Sequence, residues 1–328
     1  MIISKTPYRI SFFGGGSDYP DWYNKNEGEV ISTTIDHYLY ITLRNLPPYF
    51  EHKYLISYHQ IERVKKINEI KHRVIKLGLN KYYTDKGLEI HYDGDIPSKS
   101  GMGSSSSFVV GFLNSINTYK KKKLSKFDLA KKSIDFEQNI LGENVGSQDQ
   151  IAAAYGGFNN IRFAKKNFLV KKMDVGIRYK TELNDNLLLY FTGQTRIADK
   201  IVKSFKNTLN TANKKNIIEI LKHVELAKKI INQQKLDDFG YLLDQTWHFK
   251  RKLSKDVSNS EIDRLYMNAK KNGSLGGKLL GAGGGGFMLF YVPKKKQYNF
   301  KKKMNKFLNV PFRFSNLGSQ IIFNNMDN

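Results

Sequence analysis

The chain of 328 residues contains no cysteine, only seven prolines and only two tryptophans. Without cysteine it can form no disulfide and can offer no thiolate to a metal, which fits a reducing compartment. No apolar run approaches the roughly 20 residues of a membrane span. The N-terminal segment MIISKTPYRISFF also lacks the apolar stretch of a signal peptide. We therefore expect a cytoplasmic protein without a membrane segment.

Acidic residues are scarce as well, because 30 Asp and Glu stand against 54 Lys and Arg, a formal net charge of +24. Such an excess can indicate nucleic-acid binding. The lysines, however, fall in short runs such as YKKKK (119–123) and PKKK (293–296), which are typical of solvated turns and helix faces. We interpret the charge as a surface that attracts small anions such as nucleotides and sugar phosphates, and we expect no specific nucleic-acid partner.

Hydrophobic residues make up 40% of the chain and aromatic residues 13%, which is enough for sizeable cores in a chain of about two domains. Strand-like segments dominate the first part of the sequence. The predicted helices cover 61–78, 105–119, 125–141, 197–211, 215–233, 235–252, 259–272 and 294–308. This order predicts an α+β protein with domains over 1–170 and 171–328.

Three glycine clusters each adjoin an apolar segment: Gly14–Gly16, Gly101 with Gly103, and Gly281–Gly286. Glycine lets backbone N–H groups point at a ligand and lets the ligand come close. The second cluster, DIPSKSGMGSSSS, precedes a predicted helix, whose free N–H groups and dipole favour an anion. The lysine of a Walker loop is missing, so a phosphate site here would be of another kind. A serine-rich helix cap without a ligand is the alternative.

The third cluster formally matches the dinucleotide pattern G-x-G-x-x-G through Gly281, Gly283 and Gly286. A dinucleotide site needs a following helix and an acidic residue about 20 positions later. The apolar strand FMLFYV follows instead, and no acidic residue recurs before Asp327. We interpret this loop as backbone packed close to a bound ligand.

Together the three clusters resemble the GHMP small-molecule kinases, the family of galactokinase, homoserine kinase and mevalonate kinase. The matching segments are TPYRISFFGGGSDYP (6–20), IPSKSGMGSSSS (96–107) and KLLGAGGGGF (278–287), in the family's order. Within the family, the first and third segments and TGQTRIAD (192–199) most resemble the D-glycero-D-manno-heptose 7-phosphate kinases. The fold that this resemblance implies is a ribosomal-S5-like N-terminal domain and a ferredoxin-like C-terminal domain, with the active site between them.

The resemblance also implies roles for individual residues. Asp149 would lie beside the reacting hydroxyl, paired with Arg9. Ser105 and Glu137 would ligate the Mg²⁺ that accompanies ATP. The implied phosphate loop consists of Pro97, Ser100, Gly101, Met102, Gly103, Ser104, Ser105 and Ser106.

The implied substrate side begins at the first glycine cluster. Galactokinase-like members have a Glu-His pair where this chain has Gly15 and Gly16, which opens space for a bulkier, phosphorylated sugar. Asp18 corresponds to a sugar-binding aspartate, and Arg196 is the first candidate for binding the sugar's phosphate, before Lys278. The predicted substrate set is Gly15, Gly16, Ser17, Asp18, Thr195, Arg196, Lys278, Gly283 and Gly284.

We therefore expect an ATP-dependent kinase that converts D-glycero-D-manno-heptose 7-phosphate to its 1,7-bisphosphate at the anomeric C1 hydroxyl, for surface-polysaccharide synthesis. Another sugar 1-kinase, similar to fucokinase or galactokinase, and a basic RNA-binding module remain as alternatives. RNA binding needs lysines interleaved with exposed aromatic residues, whereas most aromatic residues here alternate within predicted strands. The resemblance leaves open whether the protein forms a homodimer.

Overall fold

The computed structural model describes residues 1–82, 86–165, 167–195 and 198–325. Within these ranges the chain forms one sheet of nine strands and one of four, with helices packed against both. The predicted α+β class is therefore confirmed. None of the helices in these ranges is both long enough and apolar enough to cross a bilayer.

The secondary structure has the following bounds. The strands are β1 (Ile2–Phe13), β2 (Gly28–Asn45), β3 (Tyr54–Ser57), β4 (Ile61–Val64), β5 (Leu88–Gly94), β6 (Asn159–Ala164), β7 (Asn167–Lys172), β8 (Leu187–Phe191), β9 (Gly276–Leu279), β10 (Phe287–Tyr291), β11 (Asn309–Val310), β12 (Phe314–Ser315) and β13 (Gln320–Asn324). The helices are α1 (Pro20–Tyr23), α2 (Arg73–Tyr82), α3 (Ser104–Tyr119), α4 (Lys126–Asp135), α5 (Gln148–Tyr155), α6 (Ile177–Asn186), α7 (Ala198–Phe205), α8 (Lys214–Asn232), α9 (Leu236–Arg251), α10 (Ser260–Lys271) and α11 (Gln297–Lys303).

The centre of the large sheet is the antiparallel pair β1 and β2, in which Ile2 lies opposite Leu43 and Ser11 opposite Ser32. From Thr6 onwards every residue of β1 is buried. This is because α3 and α5 of the first unit, which is built on the large sheet, contact the strand. Helices α8 and α9 of the second unit, which is built on the small sheet, contact it as well. Side chains two positions apart on a strand share a face, so Arg9 and Ser11 point the same way. The strand therefore lies between the two units and can present polar side chains to a site there.

The small sheet has the strand order β11-β8-β10-β9, with all neighbours antiparallel. In chain order this is the arrangement 4-1-3-2, with helices between the first and second strands and α11 between the third and fourth. That topology is the ferredoxin-like one, so the implied fold of the second unit is confirmed.

The end of the chain returns to the large sheet. β12 pairs with β2, and β13 pairs with β1 from Ile2 to Lys5. Thr6 Oγ1 and Ser319 Oγ share a hydrogen bond of 2.8 Å that ties the same ends together. Residues 314–324, which the predicted boundary places in the second domain, are thus part of the first sheet.

The predicted basic helix over 61–78 is wrong in its first half, where Ile61–Val64 forms β4 beside β3. The buried carboxylate of Glu62 accepts hydrogen bonds from the backbone N–H groups of Lys71 and His72 and from the Tyr58 hydroxyl. These tertiary contacts hold the segment extended and delay the helix to Arg73.

Candidate active site

The predicted phosphate loop leads directly into α3. Gly101 and Gly103 have φ values of 80° and 77°, the left-handed region that glycine enters without strain. Gly103 occupies the N-cap of α3 and has no side chain with which to cap the helix. The first N–H groups of α3, together with the positive end of its dipole, are therefore suited to an anion.

Arg9 and Asp149 form a bidentate ion pair beside this loop. The Arg9 Nε donates to Asp149 Oδ1 at 2.7 Å, and Nη2 donates to Oδ2 at 2.6 Å. Nη1 donates to the carbonyl oxygen of Gly101 at 2.8 Å. The Arg9 side chain is 4% exposed and that of Asp149 is 22% exposed, so the carboxylate faces the open side of the pair and the guanidinium stays enclosed.

Backbone geometry explains how residues 140 positions apart meet. The Arg9 N–H donates to the Met102 carbonyl at 3.1 Å, which lays the phosphate loop along β1. Asp149 lies in the first turn of α5. A Cβ at Gly103 would stand 3.3 Å from Asp149 Oδ2 and from Arg9 Cγ. The carboxylate therefore borders the start of α3, where an anion would bind.

Glu137 lies behind the same helix start and is fully buried. Its Oε1 accepts a hydrogen bond from Ser105 Oγ at 3.2 Å, and its Oε2 accepts from Ser106 Oγ at 2.7 Å and from Gln150 Nε2. It belongs to a π-helical turn, Phe136–Ile140, that continues α4, and such turns often occur at functional sites. Burial raises the pKa of Glu137 to about 7.

Ser105 and Glu137 fit a Mg²⁺ ion by their chemistry. Hydroxyl and carboxylate oxygens are hard ligands, and proteins usually hold Mg²⁺ through one or two such groups together with substrate phosphates. Across the described ranges no group of three or more His, Cys, Asp or Glu side chains is arranged to hold a metal ion. The buried carboxyl group of Glu137 accepts hydrogen bonds from hydroxyl and amide donors and is repelled by the charges of Glu143 and Asp149, so a cation would stabilise its ionised form.

The raised pKa of Glu137 predicts a pH-dependent loss of stability in the absence of nucleotide and Mg²⁺. The unfolded chain ionises this group near its usual 4.5 and the folded chain near 7. Between these values the folded state binds more protons, so stability falls as the pH rises and the loss is complete above about 7. A shift of this size corresponds to about 3 kcal/mol. Glu137→Gln is expected to remove that loss in urea unfolding at pH 5 and pH 8.

The matched control for Glu137→Gln is Glu182→Gln, the same change in an exposed i,i+4 pair with Arg178. The change in its unfolding free energy from pH 5 to pH 8 should equal that of the wild type. If the difference between wild type and Glu137→Gln were the same at pH 5 and pH 8, Glu137 would not titrate as the structure indicates.

The third glycine cluster packs its backbone directly on the phosphate loop. A Cβ at Gly281 would lie 2.6 Å from the Cα of Gly101, and one at Gly286 would lie 2.1 Å from the carbonyl oxygen of Ser100. By contrast, Gly283 and Gly284, both in the predicted substrate set, lie against Val257 in the second unit, and the Gly284 N–H donates to its carbonyl at 2.9 Å. The loop thus joins the two units at the phosphate site.

The buried carboxylate of Asp18 binds the backbone of the first glycine cluster. Asp18 is 1% exposed, and its carboxylate accepts hydrogen bonds from the Gly16 N–H at 3.0 Å and from Gln148 Nε2 at 2.9 Å. Burial raises its pKa, and the charge of Asp149 adds to the effect. Ser17 Oγ donates to the Gly14 carbonyl at 2.7 Å. In this structure both predicted substrate residues bind the chain itself.

The residues predicted to bind the sugar's phosphate lie in different environments. Lys278 is 3% exposed, and its Nζ donates to the carbonyls of Ser11 at 2.8 Å and Phe12 at 2.7 Å. Burial lowers the pKa of this amine well below its usual range. The ammonium joins β9 to β1 and does not face an open pocket. Thr195 is exposed, and Arg196 lies outside the described residues.

Two polar side chains beside the Arg9–Asp149 ion pair were not among the predicted site residues. Ser11 Oγ and Gln148 Oε1 are buried, and neither has a hydrogen-bond partner within the described part of the chain. A Cβ at Gly15 would stand 3.9 Å from Ser11 Oγ and 3.8 Å from Gln148 Nε2. Unpaired buried polar atoms call for a water molecule or a ligand group. The sequence indicates these two residues only through their positions: Ser11 shares a strand face with Arg9, and Gln148 directly precedes Asp149.

An aromatic cluster lies near the phosphate loop, one turn into α3. Phe108 is 4.7 Å from Tyr92 and 5.0 Å from His72 between ring centroids, and Tyr92 stacks on Tyr58 at 5.9 Å. Tyr58, His72 and Tyr92 are only partly buried. Half-open aromatic faces next to a phosphate site are suited to stacking with a nucleobase, and neither motif nor spacing pointed to them.

Comparison with known proteins identifies the family of this chain. The family described as GHMP kinases N terminal domain matches residues 68–157, and GHMP kinases C terminal matches 225–310. The D-glycero-alpha-D-manno-heptose 7-phosphate kinase of Campylobacter jejuni is 32% identical over 316 residues, which cover 93% of each chain.

Solved structures share the fold. A D-glycero-D-manno-heptose 1-phosphate kinase from Bacteriodes thetaiotaomicron superposes with a TM-score of 0.80 at 22% identity, over 99% of this chain and 100% of that one. Lactococcus lactis galactokinase, complexed with galactose, gives a TM-score of 0.72 at 19% identity over 97% and 94%. Because both family domains match in order and the full-length relative exceeds 30% identity, this chain belongs to the GHMP kinase family.

Proposed function

We propose that this protein transfers the γ-phosphoryl group of ATP to the anomeric C1 hydroxyl of D-glycero-D-manno-heptose 7-phosphate. By its family and its relatives the chain is an ATP-dependent sugar kinase. The identity of the sugar and of the hydroxyl is our proposal. One observation carries it: the Asp149 carboxylate, paired with Arg9, borders the N-terminus of α3, and the neighbouring side chains of Gln148 and Ser11 border the space at Gly15.

The geometry supports the following proposed roles for these groups. The N–H groups at the start of α3 would hold the β- and γ-phosphates. Asp149 would orient the acceptor hydroxyl and take its proton as the new O–P bond forms and the bond to the ADP oxygen breaks. Arg9 would hold the carboxylate through two hydrogen bonds and counter the charge that develops beside it.

Mg²⁺ has a natural place in this arrangement. Ser105 and Glu137 would hold the ion together with the nucleotide's phosphates. When bound, it would supply neutralisation of the polyphosphate charge. Glu137 accepts a hydrogen bond from Gln150 Nε2, one residue beyond Asp149, so that the first turn of α5 carries the proposed base and contacts the proposed metal ligand.

The acceptor side supports a large sugar. Gly15 and Gly16 stand where galactokinase-like members have a Glu-His pair, and a Cβ at Gly15 would meet only ordinary contacts with Ser11 and Gln148. The two unpaired atoms there could hydrogen-bond sugar hydroxyls. The Campylobacter jejuni relative is named for a heptose 7-phosphate, and the basic surface of the chain favours an anionic acceptor. We retain Arg196 and Thr195 as proposed phosphate contacts.

A substrate panel tests the proposal. ADP release should be fastest with D-glycero-D-manno-heptose 7-phosphate, with kcat/KM about 100-fold above that for the unphosphorylated heptose, because charge-assisted contacts to the phosphate add about 2–3 kcal/mol. Arg196→Ala should remove most of that preference, and Lys200→Ala serves as the control at a nearby exposed lysine. Phosphorus NMR of the product should show a second phosphate at C1.

Other outcomes of the panel would replace the proposal. Faster turnover of fucose or galactose would make the protein a kinase of unphosphorylated sugars. A product with its new phosphate anywhere other than C1 would overturn the assigned hydroxyl.

A further inference from the structure

Lys250 lies on the last turn of α9, in the second unit, and is half-buried. Its Nζ donates to the carbonyl oxygen of Leu279 at 2.7 Å and to that of Gly281. These carbonyls end β9 and begin the third glycine cluster. No carboxylate forms an ion pair with Lys250 within the ranges that the structure describes, so its charge is not cancelled by a direct partner.

A short path of contacts leads from Lys250 to the proposed catalytic pair. Gly281 packs against the Cα of Gly101 in the phosphate loop. The Gly101 carbonyl accepts from Arg9 Nη1, and Arg9 holds Asp149. Lys250 is thus one residue removed from the phosphate loop.

The electrostatic surroundings agree with this position. Burial lowers the pKa of Lys250 to about 7, and the charge of Arg9 acts in the same direction, while Asp18 and Asp149 oppose it. Lys278 is the remaining charge that faces it. Arg9 is bound to Asp149 and Lys278 to the β1 carbonyls. A polyphosphate at the adjacent loop is therefore the anion best placed to stabilise the ammonium form of Lys250.

We propose that Lys250 is a catalytic residue whose third N–H contacts the phosphoryl group in transfer. An ammonium has three donors: two hold the third glycine cluster against the phosphate loop, and one is left for a phosphate oxygen. The inference rests on the kinase activity assumed in the proposed function but not on the identity of the sugar. Lys250 adds positive charge from the second unit, where Arg9 adds it from the first.

The absence of cysteine makes a direct test available. Lys250→Cys introduces the single thiol of the chain, and alkylation with bromoethylamine in urea, followed by refolding, rebuilds an ammonium of nearly the same length. We expect Lys250→Cys to lose about 100-fold in kcat, the usual effect of removing one preorganised donor, with the Kd for ATP within threefold of wild type. Aminoethylation should restore at least 10-fold, whereas the neutral adduct of iodoacetamide should not.

Controls separate this role from others. Wild-type protein treated identically has no thiol and should be unchanged, and Lys252→Cys, at an exposed position two residues later, should keep full activity. Unchanged kcat in Lys250→Cys would overturn the proposal. A loss of ATP affinity and thermal stability that neither adduct nor Lys250→Arg restores would also overturn the proposal. Lys250 would then serve only to hold the third glycine cluster in place. Acceptor-independent ATP hydrolysis is measured alongside, so that failure of heptose as a substrate counts against the proposed function alone.

Discussion

Asp149→Asn is expected to lower kcat by about 1,000-fold while leaving the Kd for ATP within a few-fold of wild type. The amide has nearly the same shape but cannot take the proton of the acceptor hydroxyl, and positioned proton transfer contributes 10² to 10⁴ in rate. It also weakens the charge-assisted bonds from Arg9 Nε and Nη2. Steady-state kinetics of ADP release, together with calorimetric titration of ATP, would measure both quantities.

The control for this prediction is Asp128→Asn. Asp128 also lies in the first turn of a helix, α4, but it is exposed and bonds only to the N-cap Ser125. Turnover of Asp128→Asn should equal that of wild type. If Asp149→Asn kept more than a tenth of wild-type kcat, Asp149 would not act as the base, and the assignment of the acceptor side would have to change.

Gly286→Ala is expected to destabilise the protein by more than about 3 kcal/mol and to weaken ATP binding at least 10-fold. The added Cβ would lie 2.1 Å from the Ser100 carbonyl, where φ is 102°. Both atoms belong to backbone, so the third glycine cluster and the phosphate loop would have to separate. Overpacking of this kind costs 1–3 kcal/mol or more, to which the left-handed conformation adds about 1–2.

Gly142→Ala supplies the matched control, because Gly142 also has a positive φ of 64° but no atom of the described chain lies within 4 Å of its added Cβ. It should lose only the conformational part, about 1 kcal/mol, and bind ATP normally. Urea unfolding and calorimetry on both variants separate strain from contact. Equal effects at Gly286 and Gly142 would mean that the contact between the third glycine cluster and the phosphate loop contributes nothing to stability or to ATP binding.

Local sequence predicted the glycine loop and the helix that follows it, because the forces that shape them are local. Gly101 and Gly103 need positive φ and stand just before an apolar helix, so the loop and the helix start could be predicted from a few neighbouring residues. The α+β class and most helices of the second half followed from periodicity in the same way. The β4 strand did not, since Glu62 is held by partners from another segment.

Contacts between segments far apart in the chain could not be predicted from neighbouring residues. The pairing of Arg9 with Asp149 was predicted only through resemblance to a family, because 140 residues separate the two. Lys278 was predicted to face a phosphate, whereas it binds carbonyls 267 and 266 positions earlier in the chain. Lys250 has no sequence signal of its own, and Ser11 has only its shared strand face with Arg9. Their roles depend on how the second unit packs on β1.

The return of the last strands to the first sheet has a consequence for synthesis of the protein. β13 covers the edge of β1 from Ile2 to Lys5, so the large sheet stays incomplete until the ribosome has synthesised residues 320–324. A nascent chain carries that edge uncovered, and uncovered edges invite pairing with other chains. Pairing across more than 300 residues also slows folding. Termination before Gln320 would release a chain whose first strand lacks its β13 partner.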